Sequence, residues 1–234
     1  MKTFTQKIVA VGAGVFLTAN MAVYGIPLYD NSTTDKGSNL TFVNGTQIGN
    51  EITMGTPSPF NLLTSFSFEI YSPEHAFIGS PQMEVFLYAN NGAPFNGFPT
   101  PSQSLYDSGL FSITTPFQAT AGNSLGSTIQ VDLSGAPLTV PHDFTFAVEV
   151  TGLNASDYLG MELFDPATVG QNFGDYWLKS GSSGSVWELD HNLNGTRTDF
   201  GAQFLGSAIP DPAPTAMLLG MALASLGFLR RKFC

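Results

Sequence analysis

Phe144-Thr145-Phe146-Ala147-Val148-Glu149-Val150 places an apolar side chain at every second position, with Thr, Ala and Glu in between. Successive side chains of an extended strand point to opposite faces, so a period of two reads as a half-buried strand. The alternation recurs in Phe66-Ser67-Phe68-Glu69-Ile70, Met83-Glu84-Val85-Phe86-Leu87, Ile129-Gln130-Val131-Asp132-Leu133 and Leu159-Gly160-Met161-Glu162-Leu163. Turn formers separate these runs: Ser72-Pro73, Asn90-Asn91-Gly92, Phe98-Pro99-Thr100-Pro101, Gly135-Ala136-Pro137 and Asn194-Gly195. About ten such segments with no convincing helix predict an all-β domain, a two-sheet antiparallel β-sandwich. The longer loops around 90–103 and 165–185 suit crossovers between sheets and favour a jelly-roll-like strand order.

The ends of the 234-residue chain differ from its middle. Residues 1–25 carry Lys2 and Lys7, then an uncharged apolar run from Ile8 to Ala19. Small residues then offer cleavage after Ala22 or Gly25. That order of charge, short apolar run and small exit is a secretion signal, too short for a good membrane span. At the other end Ala216 to Leu229 is apolar or small throughout, and Arg230, Arg231 and Lys232 follow at once. Counted from Ala213 the run has 17 residues, enough for a single C-terminal transmembrane helix with its basic end in the cytoplasm. The expected division is a signal at 1–25, a β-sandwich ectodomain at 26–204, and a linker with tail at 205–234.

The middle holds 17 acids against three bases, Lys36, Lys179 and Arg197, a net charge of about −14. Such a surface repels nucleic acid and anionic membranes and offers no basic patch to release counterions. Cations, neutral glycans and proteins remain as partners. Cys234 is the only cysteine, so the ectodomain is expected to fold without a disulfide, as a soluble monomer.

Ile209-Pro210-Asp211-Pro212, the apolar run and then Arg230-Arg231-Lys232 resemble the PEP-CTERM sorting signal of exported proteins in Gram-negative bacteria that make exopolysaccharide. The resemblance implies signal peptidase at one end and an exosortase, a membrane-embedded cysteine protease or transpeptidase, at the other. Asp211 stands where that family usually has Glu, which keeps the carboxylate. Pro210 and Pro212 hold Asp211 in an extended backbone that a protease can bind. A plain membrane anchor needs the same helix and charges, and stays open as the alternative. Leu87-Tyr88-Ala89-Asn90-Asn91-Gly92, Leu105-Tyr106-Asp107-Ser108-Gly109, Phe164 to Gly170 and Tyr176-Trp177 are similar to an ectodomain that recurs before such tails. That likeness bears on location and not on chemistry.

Few residues point to chemistry. Asp190, Asn192 and Asn194 with Gly195 match the opening of a calcium loop, and Asp199 follows, but Gly201 takes the place of the closing acid. Val186 to Leu189 and Phe200 to Phe204 read as strands on either side, so Asn194-Gly195 also fits a plain hairpin turn. Calcium is the one cofactor considered. His75, His142 and His191 lack the clustering of a metal site. Glu69, Glu84, Glu149 and Glu162 fall on polar strand faces, and nothing in the sequence brings two of them together for glycoside hydrolysis. Aromatics in or beside turns, Tyr88, Phe95, Phe98, Tyr106, Tyr176, Trp177 and Trp187, are candidates for stacking on sugar rings, with Tyr176, Trp177 and Trp187 foremost. The leading expectation is a non-enzymatic structural or interaction protein of the cell surface or the exopolysaccharide and biofilm matrix. Its alternative is a carbohydrate-binding module, favoured by exposed Trp177 or Trp187 beside acids. A secreted glycan hydrolase comes third and requires two carboxylates in one cleft.

Overall fold

The computed structural model describes residues 25–73, 77–113, 118–119, 125–181, 186–190 and 198–209. The segment read as a secretion signal lies outside these residues except for Gly25, as does the segment read as a sorting tail, with Pro210, Asp211, Pro212, Arg230, Arg231 and Lys232. Every regular element among the described residues is a strand, and no helix there is long and apolar enough to cross a membrane.

Thirteen strands have three or more residues. They are β1 (Ile26–Asn31), β2 (Asp35–Thr41), β3 (Thr46–Thr53), β4 (Phe60–Tyr71), β5 (Gln82–Ala89), β6 (Gln103–Asp107) and β7 (Leu125–Asp132). Then come β8 (Leu138–Pro141), β9 (Asp143–Thr151), β10 (Gly160–Phe164), β11 (Tyr176–Ser180), β12 (Glu188–Asp190) and β13 (Ala202–Ala208). One sheet runs β1-β13-β4-β7, with β8 also on β4 and β10 pairing with both β4 and β2. The other runs β12-β11-β3-β9-β5-β6. All these pairings are antiparallel.

The alternation in β9 turns Phe144, Phe146, Val148 and Val150 toward the first sheet, and all four are fully buried. From β4, Phe66 and Phe68 meet Phe146 with ring centroids 6.1 and 5.1 Å apart. Phe204 of β13 stacks on Phe66 at 5.2 Å, and Phe200 meets Phe146 edge-on at 6.3 Å. These rings join the two sheets into one core that needs no disulfide. Within β4 the period of two breaks once, because Leu63 and Phe66 both face inward. A register shift between Leu205 and Gly206 on the partner β13 absorbs the extra residue as a bulge.

Four expectations are corrected. The loop at 90–103 is no crossover, because β5 and β6 are neighbours in the same sheet. It carries a two-residue-strand hairpin, Pro94 to Pro99, whose Asn96 and Gly97 have φ of 50° and 88°. Both values suit the twist of a tight hairpin, which is why Asn-Gly stands there. The segment 165–185 does cross between sheets, from β10 to β11. The strands on either side of Asn194-Gly195 do not pair as a hairpin either: β12 belongs to the second sheet and β13 to the first, while Asn194 and Gly195 themselves lie outside the described residues. The β domain does not end at 204, since β13 continues to Ala208 and the Ile209 N–H donates to the Phe60 carbonyl at 3.1 Å. Finally, Glu162 is not on a solvated face but 3 % exposed.

One loop is fixed by a single carboxylate. Asp157 accepts from the backbone N–H of Ile78 at 2.7 Å and from those of Gly79 and Asn154 at 2.8 Å. Desolvation pushes its pKa up, but the three donors outweigh that and leave it below the usual carboxylate value. Asp157→Ala is expected to speed amide exchange at Ile78, Gly79 and Asn154 while β4 and β9 stay protected. Unchanged exchange at those three amides would show that the loop holds without the carboxylate.

Candidate functional site

Of the residues foremost for stacking on sugars, the two tryptophans are covered and Tyr176 is half-buried. Trp177, opposite Gly49 in the register, is fully buried, and Trp187 is 7 % exposed. Trp187 receives the edge of Tyr88 at 5.6 Å, and Lys179 Nζ lies 5.5 Å from the centre of its ring. With Phe86, Ala147 and Leu189 they form a second apolar cluster on the outer face of the second sheet. The small residues Gly49 and Ala147 occupy the row that Trp177 shares, so an indole fits flat there. This cover explains why Thr145 and Ala147, on the face predicted to be solvated, are fully buried. Among the aromatics named from sequence Phe98 stays open at 38 % exposure, tilted against Phe173 at 4.8 Å.

Of the four calcium-loop residues, Asp190 and Asp199 are described. Tyr176 donates its hydroxyl proton to Asp190 Oδ2 at 2.7 Å; burial first, then Asp190, push the phenol above its usual range. Asp199 is fully buried on the far side of the crossover, where its carbonyl accepts from the Phe164 N–H at 2.9 Å. Asn192 and Asn194 lie outside the described residues, and among those described no group of three His, Cys, Asp or Glu is arranged to hold a metal.

Register does what sequence spacing does not, for it brings carboxylates together. Glu84 on β5 stands directly opposite Glu149 on β9, which stands opposite Gln47 on β3. Gln47 Nε2 donates to Glu149 Oε2 at 3.0 Å, and the Tyr88 hydroxyl donates to Gln47 Oε1 at 3.2 Å. Burial, a hydrogen bond with Asp107, and the charges of Asp107 and Glu149 push Glu84 up to about 7. A second pair forms on the first sheet, where burial and Asp35 raise Glu69 while a hydrogen bond with Glu162 pulls it back. Sequence alone offers no signal for either pair, because they depend on which strands become neighbours.

A groove opens where the loop after β3 meets the segment after β10. One lobe, about 460 Å³, is walled by Thr53, Met54, Thr56, Pro57, His142 and Gln171. The other, about 250 Å³, is walled by Asp165, Pro166, Ala167, Gln171 and Asn172. Gly170 and Gln171 border both lobes, so the two adjoin. Backbone bonds pin both loops to β1 and its neighbour: Gly55 N–H to Leu28 O at 2.7 Å, Thr168 N–H to Asp30 O at 2.7 Å, and Asp165 N–H to Thr34 O at 3.0 Å. Gly170 has φ of 77°, and a Cβ there would run into the Thr53 carbonyl, so this contact requires glycine. Asp165 faces Lys36 Nζ at 3.9 Å. Beneath the groove, Asn31 Nδ2 donates to the carbonyls of Phe164 at 3.1 Å and Phe200 at 3.0 Å. Buried Tyr29 lies there too; desolvation and then Asp199 raise its hydroxyl, against hydrogen bonds from Asn172 and Asn31.

No family model, curated protein or solved structure matches this chain. The functional reading therefore rests on the geometry and on the sequence.

Proposed function

We propose that this is an exported protein of a Gram-negative bacterium, released from its signal by signal peptidase and sorted at the membrane by an exosortase. Its β-sandwich serves as a structural or interaction module of the cell surface or the exopolysaccharide matrix. The observation that carries this reading is the pairing of the first strand with the last, Ile26 opposite Gly206. Both ends of the domain leave it side by side, and the described core runs from Leu28 to Phe204 without the signal or the tail. A domain built in this way can lose both terminal segments and keep its packing.

The finer architecture we read as a jelly roll. Eight strands, β1, β3, β4, β5, β6, β7, β9 and β13, taken as first to eighth, lie in the orders first-eighth-third-sixth and second-seventh-fourth-fifth. That wrapping of a double Greek key supports the reading. Carbohydrate binding stays as the second reading, and the two-lobed groove favours it in place of the buried Trp177 and Trp187. Hydrolysis would need two carboxylates across that groove. Among its described lining residues there is one, Asp165, and Lys36 faces it.

Mass spectrometry of the secreted form tests the proposal. The expected product lacks the first 22–25 residues and everything after Pro210-Asp211-Pro212. Intact Cys234 in mature surface material would overturn tail processing and leave a plain anchor.

A further inference from the structure

We propose that the groove between the loop after β3 and the segment after β10 is a binding site for a neutral saccharide. The inference needs only the folded domain and does not depend on how the chain is exported. Four observations converge on it.

Size comes first. Lobes of about 460 and 250 Å³ lie side by side across Gly170 and Gln171, so the site they offer together is elongated and within the range of small-ligand pockets. Elongation suits a chain of rings better than one compact molecule.

The second observation is charge. The domain around the groove carries about −14, so an anionic ligand is repelled before it arrives. Of the charged groups at the groove, Asp165 is faced by Lys36 at 3.9 Å, which leaves no excess of either sign to select an ion. A cation would find one carboxylate where divalent ions take six or more oxygen ligands.

The third is the character of the wall. Gln171 presents a donor and an acceptor, and Thr53 and Thr56 present hydroxyls. Met54, Pro57, Pro166 and Ala167 supply apolar surface between them. Alternating hydroxyl-matching groups and C–H surface is the complement of a sugar ring, whose equatorial rim is polar and whose faces are apolar.

The fourth is rigidity. The Gly55 and Gly170 backbones are in contact, since a Cβ on Gly55 would meet Gly170 N at 2.9 Å, and three backbone bonds tie the loops to the strand layer. A site already held in shape loses little freedom when a weakly polar ligand binds, and this favours affinity without aromatic stacking.

The test uses the full-length chain in a detergent that has no sugar headgroup, titrated calorimetrically with cellohexaose, mannohexaose and maltohexaose. An alginate hexamer is the anionic comparison. At least one neutral hexasaccharide is expected to bind at sub-millimolar concentration, with alginate at least about tenfold weaker. Gln171→Ala is expected to weaken binding about tenfold, with Gln171→Asn recovering part of it, because the amide serves both lobes. Gln171 is exposed, so both variants should melt with the parent. Phe98→Ala, on the separate aromatic face, should leave affinity within about twofold. The proposal falls if no neutral hexasaccharide binds, if alginate binds equally well, or if affinity responds to Phe98→Ala and not to Gln171→Ala. Loss of binding with normal secretion and tail removal would sink this inference and leave the export reading intact.

Discussion

Replacing Phe146 by Ala is expected to lower the stability of the ectodomain by about 3–5 kcal/mol, the usual range for emptying a buried phenylalanine site. The ring is fully buried and meets Phe66, Phe68, Phe200 and Phe204 at centroid distances of 6.1, 5.1, 6.3 and 5.8 Å. Those four rings come from β4, from β13 and from Phe200, two residues before β13 and bridged to Leu163 of β10, while Phe146 itself stands on β9 in the second sheet. Truncation therefore leaves a void between the sheets rather than at an edge, and four rings cannot all move to fill it. A domain of this size has about 5–15 kcal/mol in total, so the variant is brought close to unfolding at ordinary temperature. Urea denaturation followed by tryptophan fluorescence checks this through Trp177 and Trp187. Phe146→Leu should cost clearly less, because it keeps most of the volume. A loss below about 1 kcal/mol for Phe146→Ala would mean that the two sheets do not depend on this contact.

Stability is expected to fall as pH rises from 5 to 8. Glu84 is pushed up to about 7 in the folded domain by burial and by Asp107 and Glu149, from an ordinary value of 4.5. A folded-state pKa above the unfolded one means that the native state holds the proton more tightly. The stabilisation is then full below about pH 4.5 and is lost as pH climbs through about 7. Glu51, raised by burial and Asp143, and Glu69, raised by burial and Asp35, act in the same sense. Asp157 and Asp132 are shifted the other way, and their contributions are lost only in more acid solution, outside this window. The groups facing Glu84 are Glu149 across the ladder and Asp107 at the end of β6, with Gln47 and Tyr88 bound to that cluster. Glu84→Gln, which fixes the uncharged form, should flatten much of the slope, and Glu149→Gln should relieve part of it. Thermal melts across that range check the sign, each kcal/mol appearing as roughly 2–4 °C for a domain of this size. A melting temperature that rises between pH 5 and 8, or one indifferent to Glu84→Gln, would refute the assignment.

The same residues mark how far the sequence reads unaided. The period of two in Phe144–Val150, Phe66–Ile70 and Met83–Leu87 fixes strands and their inward sides, because alternation is a property of the extended backbone itself. Fold class follows directly, and so does the charge that disfavours nucleic acid. The reading of the two terminal segments as signal and tail is of the same local kind, resting on charge, apolar length and proline, and those segments lie outside the described residues. Pairing between strands is different. Glu84 meets Glu149 across 65 residues of chain, and Trp177 covers Gly49 and Ala147 from a third strand. Neither contact leaves a local trace, so Trp177 looks like a candidate for the surface until its neighbours are known. Likewise, Asn194-Gly195 has the composition of a hairpin turn, yet β12 and β13 fall in different sheets. The groove is the furthest from the sequence: Gly55, His142 and Gly170 are unremarkable singly, and they meet because β3, β9 and the segment after β10 are drawn to one side of the sandwich. Local chemistry determines what each strand is; the burial of two apolar faces against each other decides which side chains share a site, because that choice is made by the whole core at once.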